Sequence, residues 1–243
     1  NYFTFKSAKD LVRLGKNNDG GYLVSKSDVY KSDFLISLGI SDDWSFENDF
    51  IKLNDIYVNA YDASVNTKFW IKKILLNTLK NPFSLYGLRK LISYKKFFRG
   101  KRKHVKKFIG NNTNNKIYCS LSSILEENNY ERIFIKVDIE GSEYRILETL
   151  ILNQNRISGL VIEFHDCDLH LKTIESFLKR FELKLVHIHA NNYGPVSNDG
   201  HLPLVLELSF SKNCELSNVS QLPHELDMPN NKNLSEINLV IEN

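Results

Sequence analysis

The sequence predicts a single doubly wound α/β domain, with a Rossmann-like, mostly parallel seven-stranded sheet closed by a C-terminal antiparallel hairpin strand. Three observations carry this expectation. Short β-rich apolar runs alternate with amphipathic stretches, the pattern that crossover helices impose on a parallel sheet. The last two runs are separated only by residues 190–202, a loop that suits an antiparallel hairpin better than a crossover helix. A chain of 243 residues, 42% hydrophobic and 25% charged, suits one large domain with a buried core.

The elements follow in order. Residues 12–15 and 22–24 flank Lys16-Asn17-Asn18-Asp19-Gly20-Gly21, which reads as a hairpin turn, so an N-terminal hairpin is expected over about 11–25. Residues 34–40 form a buried strand ending near Gly39, and residues 56–61 a second, ending just before Asp62. A third is expected at 116–121, a fourth at 133–139, a fifth at 159–165, a sixth at 183–189 and a seventh at 203–210. Helices are expected at 142–152, with Ser142 as N-cap, and at 168–181, where apolar residues recur at helical spacing. The hairpin loop before the seventh strand contains Asp199-Gly200. The tail from Asn213 is polar and irregular until residues 237–241.

Charge is distributed unevenly. From Lys68 to Lys107 there are 14 Lys or Arg and no acidic residue, which leaves 18 basic against 29 acidic residues elsewhere. This is one basic segment on an acidic protein rather than a general nucleic-acid binder, and nucleic acid is not the expected partner. The segment, about 66–110, replaces a single crossover helix and interleaves Phe69, Trp70, Phe83, Tyr86, Tyr94, Phe97 and Phe98 with its charges. A phosphate-bearing substrate, an anionic membrane surface or RNA would suit it, as would a solvated helical pair over the sheet. Among the binding functions, substrate phosphates are favoured. No apolar run has the roughly 18 residues of a membrane span, and residues 1–10 lack the apolar core of a signal peptide. Three widely spaced cysteines, Cys119, Cys167 and Cys214, point to a reducing compartment, so a cytoplasmic protein is expected.

Ligands of open α/β sheets sit beyond the carboxyl ends of the strands, where strand order reverses. Here one glycine, Gly39, follows the first strand, whereas a dinucleotide needs G-x-G-x-x-G for its pyrophosphate. S-adenosylmethionine has no phosphate, and its ammonium and sulfonium suit the acidic surroundings that Asp42, Asp43 and Glu47 offer, with Ser41 a further candidate for binding it. Asp62, at the end of the second strand, is placed to hold ribose hydroxyls; the plainer role is to cap its own turn.

Phe134-Ile135-Lys136-Val137-Asp138-Ile139-Glu140-Gly141-Ser142-Glu143-Tyr144 resembles the strand-four motif of the FkbM-type family of class I methyltransferases, L-K-x-D-x-E-G-x-E. Asn17-Asn18-Asp19-Gly20-Gly21-Tyr22, the run from Ser37 to Phe46, Val161-Ile162-Glu163-Phe164-His165-Asp166 and His187-Ile188-His189-Ala190-Asn191-Asn192 extend the resemblance over about residues 13–210. It implies an S-adenosylmethionine-dependent methyltransferase. By analogy Asp19, Gly21 and Tyr22 would form a lid near the cofactor or, equally, a plain hairpin without a ligand, and Asp62, Ala63 and Asp138 would be among the cofactor's ligands. Ser120 would meet the adenine edge or, equally, cap a turn.

Methyl transfer to a hydroxyl needs in-line positioning and removal of a proton. Asp138, His165, His187 and His189 end adjacent strands and are the expected catalytic groups. A histidine would serve as general base, or Asp138, His165 and Asp166 would ligate Mg²⁺ or Mn²⁺ and acidify the hydroxyl. The expected reaction is O-methylation of a sugar or nucleotide-activated sugar in glycan or natural-product biosynthesis. Methylation of RNA or another small molecule, a non-catalytic nucleoside-binding module and self-association all stay open at this point.

Overall fold

The computed structural model describes residues 3–110, 115–197, 202–218 and 221–239. The expected turn residues Asp199 and Gly200, and Val240 and Ile241 of the tail, lie outside the described residues. An N-terminal hairpin, β1 (Leu11–Leu14) with β2 (Tyr22–Ser25), stands where the turn residues predicted it. Then come α1 (Lys26–Lys31), β3 (Phe34–Leu38), α2 (Ser45–Leu53) and β4 (Tyr57–Tyr61). Two helices follow, α3 (Thr67–Lys80) and α4 (Tyr86–Phe97), and then β5 (Arg102–Val105). Short strands β6 (Phe108–Ile109) and β7 (Tyr118–Cys119) lead to α5 (Leu121–Glu127), β8 (Ile133–Val137) and α6 (Leu147–Leu152). The chain closes with β9 (Ile157–Phe164), α7 (Cys167–Arg180), β10 (Lys184–Ala190), β11 (Leu206–Ser211) and an irregular tail.

The main sheet runs β10-β11-β9-β8-β3-β4-β5. Its pairs are parallel except for the two made by β11, which returns antiparallel between β9 and β10. Strand order reverses between β3 and β8, so their carboxyl ends form the crevice in which such sheets bind ligands. The central strands are buried on both faces, and alternation sends successive side chains to opposite layers. Phe34, Ile36, Leu38, Ile133, Ile135 and Val137 pack with Leu121, Ile124, Leu147, Leu150, Ile174 and Phe177 of α5, α6 and α7. Leu35, Phe134 and Val161 face the other way, onto Phe46 and Phe50 of α2 and the β2 residues Tyr22 and Val24.

Two expectations need correction. The third strand of the sheet is Arg102–Val105, not residues 116–121; Tyr118 and Cys119 instead pair with Phe108 and Ile109 in a separate two-stranded sheet. The sequence RKHV hides its strand character because an edge strand keeps charged, half-exposed side chains as a guard against further pairing. The helix expected from Ser142 begins as a 3₁₀ turn, Glu143–Arg145, and becomes α-helical only at Leu147. Ser142 makes no capping bond. Glu143 is turned inward onto the preceding loop, which holds the chain out of regular helix there.

The basic segment folds as a helical hairpin. Asn66 caps α3 by accepting from the Phe69 N–H, and α4 crosses so closely that a Cβ on Gly87 would sit 3.0 Å from the Ile74 Cα. Its root is anchored: Trp70 and Phe97 are buried against Trp44, Ile40, Ala60 and Val65.

Candidate functional site

Two cavities open at the carboxyl edge of the sheet and share Asp138 and Glu140 as a rim. The first, about 420 Å³, is lined by Gly39, Ser41, Asp62, Phe108, Tyr118 and Arg145 among others. That volume falls in the range of small-molecule sites. The second, about 330 Å³, is lined by Asp19, Glu163, His165 and Asn191 together with the loop before β11.

Strand geometry builds the first cavity. The loops after β3 and β8 touch: Gly39 has φ +82°, and a Cβ there would lie 1.7 Å from the Asp138 carbonyl oxygen. No side chain fits that approach, which is the physical reason for glycine at this position. Lys136, buried, donates from Nζ to the Gly39 carbonyl at 2.8 Å and pins the same contact. Asp62 ties the loops after β3 and β4 together. Its Oδ2 accepts from the backbone N–H of Ser41 (2.8 Å) and Ile40 (3.2 Å), and its Oδ1 from Ser64 N–H (2.8 Å) and Oγ (2.6 Å). Four donors occupy the four lone-pair directions of the carboxylate. A ribose hydroxyl can therefore reach it by displacing Ser64 Oγ, the one donor on a rotatable side chain.

The second cavity is built by the loop after β8 and the end of β9. Glu143 is fully buried, and its Oε1 accepts from Ile139 N–H (3.1 Å) and Gly141 N–H (3.2 Å). The same oxygen lies 3.2 Å from His165 Nδ1. The last acid of the D-x-E-G-x-E run thus folds its own loop, with Glu140 (φ 52°) and Gly141 (φ 91°) turning the chain, and orients the histidine. His165 Nε2 points at the rim, 3.4 Å from Glu140 Oε2 and 3.8 Å from Glu163 Oε1. Burial alone would lower the His165 pKa, but the bond and charge of Glu143, with Glu163 and Asp138, raise it to about 9. Glu163 shifts upward too, because it is buried beside Asp138 and Glu207. Tyr22 OH donates to Glu163 Oε2 at 3.0 Å, with Asp138 Oδ2 3.2 Å away, and Asn191 Nδ2 donates to Glu163 Oε1 at 2.8 Å.

Of the residues expected to bind a cofactor, Gly39, Ser41, Asp62 and Asp138 line the first cavity together. Asp19 and Tyr22 belong to the second side of Asp138 rather than to the cleft. Gly21 turns against its own hairpin, where a Cβ would meet the Lys16 carbonyl oxygen at 1.9 Å. Asp42 is ion-paired with Lys73, and Glu47 is buried as the acceptor of Ser37 Oγ, so neither lines a cavity. Ala63 is buried beside Asp62. Ser120 caps α5 through the Ser123 N–H, and the aromatic pair Phe108–Tyr118 lines the cleft instead.

Asp138, Glu140 and His165 bring one ligand atom each within 4.8 Å of one another, the spacing of a cation site. Glu140 joins this group in place of Asp166. Asp166 has φ 51° and stands at the start of α7, and the left-handed turn carries its carboxylate toward Gly141 rather than into the cluster.

His187 and His189 lie elsewhere. His187 Nε2 is 3.0 Å from Asp227 Oδ1, while His189 lies 3.1 Å from Glu207 Oε2 and 2.6 Å from Glu236 Oε1. Both are covered by the tail, which also sends Asn230 Nδ2 to Glu207 at 2.7 Å. Glu140, Glu143, Glu163 and Asn191 are among the site residues that sequence reasoning passed over; the shared strand parity of Glu163 and His165 was the available signal for one of them.

The tail cluster gives the fold a pH dependence. Burial opposes protonation of His189, but the bond and charge of Glu207, with Asp227 and Glu236, raise its pKa from 6.5 to about 9. The folded state thus holds the proton more tightly than the unfolded chain. This stabilisation is complete below about pH 6.5 and is lost as pH rises through about 9. The urea midpoint is expected to fall across that window, and less steeply in His189→Gln. A wild-type midpoint that rises across it would contradict the assignment.

The strand order, the antiparallel return of β11 and the cleft at the switch point define a class I methyltransferase fold. Residues 96–188 match the family model described as the Methyltransferase FkbM domain. The matched segment contains the D-x-E-G-x-E run, and the match supports the methyltransferase activity expected from it. None of the curated proteins matches it by sequence. Among solved structures it is similar to precorrin-6y C5,15-methyltransferase from Geobacter metallireducens, with 16% identity over 77% of this chain and 85% of that one and a TM-score of 0.40. It is also similar to the fibrillarin pre-rRNA processing protein of Methanococcus jannaschii, with 11% identity over 77% and 70% and a TM-score of 0.40. A human methyltransferase 10 domain containing protein shares 14% identity over 76% and 74%, again at 0.40.

Proposed function

We propose that the chain is an S-adenosylmethionine-dependent O-methyltransferase whose acceptor is a hydroxyl of a sugar or nucleotide-activated sugar. The observation that carries this reading is the rim shared by two cavities, with a histidine nitrogen at the boundary. When bound, the cofactor supplies an electrophilic methyl group on sulfur. Asp62 would hold its ribose, Phe108 and Tyr118 would flank its base, and Asp138 would face its positive charge. The second cavity supports a polyhydroxyl acceptor because Asp19, Glu163 and Asn191 offer hydrogen bonds in several directions. His165 Nε2 would accept the acceptor's hydroxyl proton, and Glu143 would hold Nδ1 and steady the imidazolium.

The acidic cavity repels phosphate, so a nucleotide-activated sugar would enter sugar first. No Lys or Arg of residues 66–110 lines either cavity, so a phosphate held by that segment would lie outside both. Three free, buried thiols go with a reducing compartment, so we place the reaction in the cytoplasm. One observation favours a second reading, the Asp138–Glu140–His165 cluster, which would hold Mg²⁺ or Mn²⁺ to acidify the same hydroxyl. Sugars, nucleotide-activated sugars and other hydroxyl compounds should be screened with the cofactor and products read by mass, with and without exhaustive chelation. A methylated sugar formed despite chelation supports the histidine reading and rejects the metal. Methylation confined to amines or RNA would reject the acceptor class.

A further inference from the structure

The α3–α4 hairpin has a buried root and an exposed apolar surface that methyl transfer does not use. Ile71, Leu75 and Leu79 follow one another at four-residue spacing on α3, and Leu85 at the N-cap of α4 is followed at helical spacing by Leu88 and Ile92; all six are exposed. Toward the turn, Leu79 is 80% and Phe83 93% exposed. Soluble surfaces seldom place so many large apolar side chains together without a partner. The charges beside them are all of one sign. Among the described residues, Lys73 pairs with Asp42 and Lys101 with Asp55, while Lys72, Lys80, Arg89, Lys95 and Lys96 have no carboxylate in ion-pair range.

We infer that this hairpin docks the protein on an anionic lipid bilayer, with Leu79 and Phe83 entering the headgroup–acyl boundary and the free Lys and Arg meeting lipid phosphates. Apolar stripes flanked by uncompensated basic residues are what interfacial helices present. No described helix is long and apolar enough to cross a membrane, so the contact is interfacial. Nucleic acid fits less well. Base stacking uses aromatic rings, and Trp70, Tyr94, Phe97 and Phe98 are committed to the hairpin root. The exposed surface is mainly Leu and Ile, with Phe83 and Tyr86 its exposed rings. A second copy fits less well too, because a symmetric contact through the same face would bring two basic surfaces together.

The test uses the full chain, sedimented with vesicles of phosphatidylcholine alone or mixed with phosphatidylglycerol. Binding is expected only to the mixed vesicles and should weaken with salt. Lys72→Gln and Lys80→Gln should each weaken it about five-fold. Leu79→Glu with Phe83→Glu should abolish it, with circular dichroism and cofactor affinity unchanged because both positions are exposed. Equal binding to both vesicle types, no binding to either, or full binding by the double variant would overturn the inference. So would tighter binding to an oligonucleotide or an acidic peptide than to mixed vesicles at the same salt. Cofactor binding is read separately, so failure here leaves the methyl-transfer reading intact.

Discussion

Replacing His165 by Gln is expected to lower kcat by about 10²- to 10⁴-fold, the usual contribution of a positioned general base. Glutamine keeps a hydrogen-bonding side chain beside Glu143 but cannot take a proton, so the cofactor affinity should stay near that of wild type. With a pKa of about 9, neutral His165 makes up only about 1% of the enzyme at pH 7. The wild-type rate should therefore climb with pH and level off near 9. Glu143→Gln removes the first charge that holds the proton on His165, so the plateau should begin at lower pH. That shift separates a positioning residue from a merely structural one. A flat wild-type profile from pH 6 to 9, or a His165→Gln variant with full activity, would remove the histidine from the chemistry.

The second large effect is expected at Asp62. Asp62→Ala deprives three backbone N–H groups, of Ile40, Ser41 and Ser64, of their acceptor. It also removes the carboxylate proposed to hold the ribose. Losing charge-assisted hydrogen bonds of this kind costs about 1.5–3 kcal/mol each, so cofactor affinity should drop by about 100-fold or more. Asp62→Asn, which retains an acceptor oxygen for the loop but no charge, should fall between the two. Titration calorimetry measures both. An unchanged affinity in Asp62→Ala would leave the residue only its turn-bridging role.

The sheet could be read from the sequence wherever burial wrote an apolar run. β3, β8 and β9 are buried on both faces, and their β-branched and aromatic residues announce them. β5 is an edge strand with charges on it, and its signal was lost beneath the basic segment. Within the site, Gly39, Asp62 and Asp138 follow from strand ends, because topology alone brings those ends together. The roles of the histidines do not follow in that way. His165, His187 and His189 all sit at or near strand ends, yet Asp227 beside His187 and Glu236 beside His189 lie in a tail with no periodicity. Glu143 likewise read as an acid near a helix start, whereas its side chain turns back to close the loop before it. Side-chain direction in irregular backbone depends on contacts that a linear pattern does not encode.

The central claim is that the cleft between Gly39, Asp62 and Asp138 receives S-adenosylmethionine. Its most direct test is titration calorimetry of the wild-type chain with S-adenosylmethionine, with S-adenosylhomocysteine as competitor and NAD in parallel. One saturable site for S-adenosylmethionine, displaced by the competitor and indifferent to NAD, is the expected result. Binding of NAD instead, or no heat with S-adenosylmethionine from a folded sample, would contradict the account.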